Sequence, residues 1–382
     1  MGKRFLTKAT TLLAGATLTA LIAVPVAGSA ANLSGSSFAV KAVNKEEAAK
    51  HFAIRPFFDG KDSTPEPTAP PVTTAPPTTP APSPSPTGPT LDPSYPSPTP
   101  EASFTWSLNA DGTANLMGYK GTPRDIVIPQ TATISGVARV VTSIERQGLR
   151  DRGLTSVVMP DTVKSIGDFA FYNNRITSLK LSSSLTFLDD YAFSTNMLSS
   201  VVIPDKLTKI PRYAFNNNQL TSVTLGSSVT AIEGQAFSQN ALTAIDLPQS
   251  LTSLGYNAFA FNSLSSVTIP DRVTAIDDGA FRNNTSITSV KLSSSLQSIG
   301  PNAFLNASLS ELRIPASVTS IGNAAFPGAK KIYMEGNAPT TISAAGTSGG
   351  FGSAGTAKII YYKTTATGYT SPTWKGYASA TY

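Results

Sequence analysis

The side chains from which catalytic and metal sites are built are scarce in this chain: of 382 residues none is cysteine and one, His51, is histidine. Without a thiol there is no disulfide, no cysteine nucleophile and no Cys-based zinc or iron–sulfur site. A Ser-His-Asp triad or a multi-histidine metal site would have to be built around that single imidazole, which lies outside every repetitive segment. Paired acids occur at Asp189–Asp190 and Asp277–Asp278. Neighbours on a turn point apart, and no D-x-D-x-D-G spacing accompanies them, so neither a glycosidase pair nor a calcium loop is expected. The expectation is no catalytic residue, no cofactor and no metal.

Chemistry of another kind is spaced regularly. Phe169, Tyr191 and Tyr213 stand 22 residues apart, with Tyr172 and Phe187 close by in sequence. Aromatics on neighbouring rungs of a repeat could form a platform for sugar rings or a protein hot spot, or could cover a turn at one end of the array. Trp374 with Tyr369 and Tyr377 makes a second candidate patch, which capping the last coil explains equally well. Ser156, Ser178, Ser200, Ser222, Thr224, Ser266, Thr268 and Ser289 fall on the exposed side of alternating segments, together with Val158, Lys180, Val202, Ala244, Asp246, Lys291, Glu311 and Arg313. Such a face could hydrogen-bond a sugar chain or an extended polypeptide, although Ser and Thr also suit a solvated strand.

What must position these residues is a repeat. Ala-Phe recurs at Phe171, Phe193, Phe215, Phe237, Phe259, Phe281, Phe304 and Phe326, every 22 residues with one step of 23. A period so regular over eight copies marks a solenoid, in which each unit buries its apolar face only against its neighbours. Val157 and Met159 alternate with Ser156 and Val158 at strand period. The V-x-x-I step then leads through a second short strand or bend into a helical turn carrying Ala-Phe. Asparagine stands three residues after the phenylalanine at Asn174, Asn196, Asn218, Asn240, Asn262 and Asn284. Since an amide both donates and accepts, this column can satisfy turn backbone groups in adjacent coils; a polar ligand track is the other reading. Proline closes the first strand at Pro160, Pro204, Pro248, Pro270 and Pro315.

Around the repeats the chain divides by composition. Residues 1–31 have the layout of a secretory signal peptide: Lys3, Arg4 and Lys8, an uncharged stretch from Ala9 to Val26, then small residues to Ala31. Residues 32–62 have no assigned role. Residues 63–101 form a disordered Pro/Thr/Ser-rich linker, with 15 prolines between Pro65 and Pro100; as polyproline II it would reach on the order of 110 Å. Residues 102–153 cap the array, residues 154–330 carry the eight repeats, and residues 331–382 close it. Net charge is +6, but residues 154–326 hold 10 basic and 11 acidic side chains. Nucleic-acid binding, which needs a clustered basic stripe, is not expected.

The copies LSSVTIPDRVTAIDDGAFRNN and ALTAIDLPQSLTSLGYNAFAFN resemble the BspA-like leucine-rich repeats of bacterial surface proteins, and the resemblance extends over about residues 102–382. In the lead-in unit Ile126, Ile128 and Ile144 take strand places and Leu149 stands where phenylalanine would be; Ala307 and Ala329 depart from the asparagine column. The resemblance implies a secreted or cell-surface, nonenzymatic role in adhesion or in binding an extracellular protein or a cell-wall or host glycan, with no transmembrane segment in the mature chain. A structural envelope component without a discrete ligand, and a glycan-active enzyme on a repeat scaffold, are the alternatives.

Overall fold

A computed structural model of the protein describes residues 92–346, 349–353 and 358–382. The signal segment, His51, residues 32–62 and the linker up to residue 91 lie outside them. The described residues form a β-solenoid of about 11 turns of roughly 22 residues. A coil contributes one rung to a front ladder, such as Ser156–Val158, and one to a back ladder, such as Ser165–Ile166; the coil at 244–246 has no front strand. Equivalent residues pair across one period, as Val201 with Val223 in front and Ile210 with Ile232 behind. Seven back strands from Lys209–Ile210 to Thr341–Ile342 form one parallel sheet. The stacking thus runs past residue 330 into the segment read as a cap.

The back ladder breaks once among the described residues, between Phe187–Leu188 and Lys209–Ile210. The cause is local. Where Glu233 donates its N–H to the Ile210 carbonyl at 2.9 Å, the equivalent residue one coil earlier is Pro211, which has no N–H to give.

Between the ladders the phenylalanines form one column. All eight are fully buried, and successive ring centroids lie 4.9–5.6 Å apart with planes within 14°. The backbone N–H of each of the first seven phenylalanines donates to the alanine carbonyl of the next coil, as Phe215 to Ala236 at 2.9 Å, and that of Phe326 to the Gly350 carbonyl at 3.1 Å; Leu149 does the same to Ala170, in keeping with its place in the series. Burying one such ring stabilises by roughly 1.5–3 kcal/mol.

The segment carrying Ala-Phe, expected as a helical turn, is a turn without helix; the single helical element among the described residues is a short 3-10 turn at Glu101–Ser103. The residue two before every phenylalanine, and the residue two after each of the first seven, is left-handed, for example Tyr191 (φ 58°) and Thr195 (φ 59°) around Phe193. Isolated left-handed residues reverse the chain and end any helix at once.

The asparagine column is a structural ladder. Asn218 Nδ2 donates to the carbonyls of Phe193 (3.0 Å) and Phe215 (3.2 Å), and its Oδ1 accepts the Leu198 N–H (3.1 Å). Five of the six asparagines are buried, so they offer no polar track.

Two segments differ from expectation. Thr99 N–H donates to the Val127 carbonyl at 2.9 Å, and the Tyr95 hydroxyl donates to the Ile128 carbonyl at 2.8 Å and lies 3.1 Å from that of Val158. A disordered linker reaching residue 101 is therefore too long, because Tyr95 supplies a ring and a donor that the prolines lack. At the far end Trp374 and Tyr377 are buried and Tyr369 stacks on Tyr362 at 4.7 Å. These rings are the interior of the closing coil rather than a surface patch. No helix of the described residues is long and apolar enough to cross a membrane.

Candidate functional site

The turn side of the solenoid carries the candidate aromatic residues, because the position two before each core phenylalanine must turn outward. Phe169, Tyr191 and Tyr213 occupy it in three successive coils and stack, with centroids 4.6 and 4.3 Å apart and planes within 8°. All three are half-buried and have positive φ, at 54°, 58° and 57°. Tyr172 meets Phe169 edge-on at 5.4 Å, and the Arg150 guanidinium lies 5.7 Å from the Phe169 ring centre and 5.0 Å from that of Tyr172. At the other end Gln235 Nε2 donates to the Tyr213 hydroxyl at 2.6 Å, and the Tyr256 hydroxyl lies 3.1 Å from it.

Ring faces in this column are spent on one another, so what solvent meets is ring edges and phenolic oxygens. Burial, with the Tyr256 hydrogen bond adding to it, pushes the Tyr213 phenol well above the ordinary tyrosine range, and burial does the same to Tyr191. Both remain neutral donors at physiological pH.

Tyr256 and Arg150 were not singled out from the sequence. Tyr256 stands three residues before Phe259 and so falls out of the column's register; it reaches Tyr213 by lying over Gly234, where any side chain would collide with its ring. A glycine one coil ahead of an out-of-register tyrosine was the available signal. Arg150 sits in the coil whose core residue is Leu149, where the missing phenylalanine obscures the period.

The other candidates lie elsewhere. Phe187 stands on the back ladder, 53% exposed, and enters no aromatic pair among the described residues. Lys180 and Lys291 stand on the front ladder at equivalent positions, both exposed. The acid pairs serve their own turns: Asp190 Oδ1 accepts the Arg212 N–H at 3.0 Å, and Asp277 Oδ1 accepts the Asp278 N–H at 2.8 Å. Among the described residues no three potential ligands cluster as a metal site would require.

A family model described as BspA type leucine rich repeat region matches in six copies over residues 137–243 and 208–333, just over half of the chain. No curated protein matches. Among solved structures, a leucine-rich repeat protein from Bacteroides ovatus is 22% identical, with 68% of this chain and 70% of that one covered and a TM-score of 0.49. A leucine rich cell surface protein from Faecalibacterium prausnitzii is 26% identical over 70% and 95%, with a TM-score of 0.38. The pneumococcal vaccine antigen PcpA is 17% identical over 69% and 92%, with a TM-score of 0.41.

Proposed function

The chain belongs to the BspA-type leucine-rich-repeat family, and on that footing we propose that it is a secreted or surface-displayed bacterial binding protein, with adhesion as its task. The partner is an extracellular protein or a cell-wall or host glycan, and no catalysis is involved. Phe169, Tyr191, Tyr213 and Tyr172, joined by Tyr256, are the proposed contact; Phe187, exposed on the back ladder, is a separate candidate.

One observation carries this reading. The left-handed position is held by Phe169, Tyr191 and Tyr213 in three coils, and by Gln235, Asn257, Gly279, Asn302 and Ala324 in the next five, with φ between 50° and 60° throughout. The fold therefore accepts Gln, Asn, Gly or Ala there as readily as an aromatic. A bulky aromatic at positive φ costs on the order of 1–2 kcal/mol, a cost that Asn257, Gly279 and Asn302 largely avoid. Residues held against local preference point to a use beyond folding. With ring faces occupied, that use is contact through edges and hydroxyls, which suits a protein surface better than a stacked sugar ring.

The test is a panel of extracellular-matrix proteins and cell-wall glycans offered to the purified full chain, with polysaccharide turnover followed in parallel. Specific binding without turnover is the expected result. Turnover would replace this reading with an enzymatic one, and silence on every surface with a structural envelope role.

A further inference from the structure

The front ladder, unlike the back one, is joined in short blocks. Coils of the type Met159-Pro160-Asp161, Ile203-Pro204-Asp205 and Ile269-Pro270-Asp271 are each followed by one with a serine pocket, at Ser183, Ser227 and Ser294. Within a pair the aspartate accepts the serine N–H: Asp161 from Ser183 (2.8 Å), Asp205 from Ser227 (2.7 Å), Asp271 from Ser294 (2.9 Å). The strands of each pair are also bonded, as Met159 N–H to the Lys180 carbonyl (3.0 Å) and Ile269 N–H to that of Lys291 (2.8 Å). On the far side of the Lys180 and Lys291 strands the ladder is open among the described residues, since the next front strands belong to separate sheets.

At these two seams the interior comes to the surface. Leu179 and Val290, like Val223 in the middle pair, are half-buried, whereas Val157, Val201 and Val267 in the first strand of each pair are at most 3% exposed. A cleft of about 720 Å³ opens beside Lys180, floored by Leu179, Leu181 and Leu225 with the exposed Val202 at its rim, and one of about 540 Å³ beside Lys291, floored by Val290, Leu292 and Leu312. Volumes of this size suit small-molecule or single-sugar subsites. One wall of each cleft comes from nearly the same nine-residue segment, TSLKLSSSL at 177–185 and TSVKLSSSL at 288–296, while the facing walls differ. In each, the buried serine, Ser182 or Ser293, accepts the N–H two residues on at 3.1 Å. Five coils separate them, roughly 24 Å at about 4.8 Å per rung.

Charge distinguishes a ligand class. Lys180 and Lys291 enter no ion pair among the described residues. Neighbouring acids have other hydrogen-bond or ion-pair partners: Asp205 and Asp271 accept from serine amides and hydroxyls, Glu311 pairs with Lys331, and Glu335 with Arg313 and Lys363; Asp92 and Asp271 lie within electrostatic reach of Lys180 and Lys291 without pairing with them. Each cleft therefore presents a lysine ammonium outside any ion pair, with Lys206 as a second cation beside Lys180, next to serine hydroxyls and aliphatic side chains. Between the clefts the same face carries hydroxyls at Ser200, Ser222, Thr224, Ser266 and Thr268, interrupted by Val202, Ala244 and Asp246. Two like subsites joined by a hydroxylated track match a ligand that is itself repetitive, polyhydroxylated and anionic. We propose that the clefts headed by Lys180 and Lys291 are twin subsites for one carboxylate-bearing glycan chain. This rests on the reading of the solenoid as a binding surface and adds a second site, with its ligand class, to the aromatic column.

The full chain is titrated at low salt with polygalacturonate and hyaluronate, with monomeric galacturonate, neutral dextran and poly-glutamate as controls. One or both acidic glycans should bind at least about 100-fold more tightly than the monomer, as two linked subsites require, and the binding should weaken as salt rises. Lys180→Glu and Lys291→Glu should each reduce polymer affinity to near the monomer level, with unchanged thermal stability because both side chains are exposed; the double variant should not bind. The proposal is overturned if neither acidic glycan binds, if single variants bind like the parent, if dextran binds equally, or if poly-glutamate binds more tightly, which would assign the clefts to polypeptide. Failure here with panel adhesion intact removes the twin clefts and leaves the aromatic column standing. Glycan binding with no panel adhesion does the reverse.

Discussion

At the scale of single residues the fold is held by side chains that answer the buried backbone groups of the turns. Asn218 shows the logic, since its one amide serves two phenylalanine carbonyls and an incoming N–H from the coil before. Asn218→Ala should destabilise by about 1–3 kcal/mol, the usual cost of stranding buried polar groups, read as a lower urea midpoint with unchanged slope. A second prediction concerns Tyr213, whose phenol titrates above the ordinary 10.0 in the folded chain. Below that value both states keep the proton. Above it the unfolded chain ionises while the folded one resists, so stability falls as pH rises past about 10. Tyr213→Phe should make that alkaline loss shallower, in thermal melts at pH 9 and pH 11. Tyr191, Tyr369 and Tyr377 shift the same way, so part of the slope will remain.

The coil is the element, and most of it can be read before any coordinate is known. The Phe171 to Phe326 column, the front strands at Val157 and Leu179, and the amide ladder at Asn174 to Asn284 follow from period and residue type alone. What escapes is whatever depends on backbone handedness or on a neighbour one coil away. Gln235, Thr195 and Phe261 give no hint of positive φ in their residue types, so the turn reads as helical. The opening of the front ladder after Lys180 depends on which coil bonds to which, and Tyr256 reaches Tyr213 only because residue 234 is glycine. Tyr95 was hidden by the prolines around it. The turn geometry gives its own prediction at Gln239, an exposed residue with φ of 58°. Gln239→Val should cost about 1–2 kcal/mol and Gln239→Gly should be neutral or stabilising, a difference that paired chemical melts will resolve.

For the whole molecule, a structure in which each coil touches only its neighbours has stability that is nearly a sum of local terms. Phe237→Ala should cost about 3–5 kcal/mol and should split a single unfolding transition into two, with the flanking coils melting apart; calorimetry shows this directly. The break in both ladders between the Lys180 and Ser200 coils bears on function as well, because the stacked Tyr191 and Tyr213 span it. The same rings could thus serve as a contact for a partner or as a staple across the break. Asparagine separates these roles, since Asn257 and Asn302 already hold the position in later coils.

The measurement that bears most directly on the account is therefore the variant Phe169→Asn, Tyr191→Asn, Tyr213→Asn, compared with the parent for melting temperature and for adhesion to the surfaces the parent binds. Relief of three unfavourable backbone conformations should offset the loss of two stacked pairs, worth about 0.5–1.5 kcal/mol each. A melting temperature within a few degrees of the parent, with adhesion lost, is the predicted result. A large fall in melting temperature with adhesion retained would make the column a staple and contradict the proposed site.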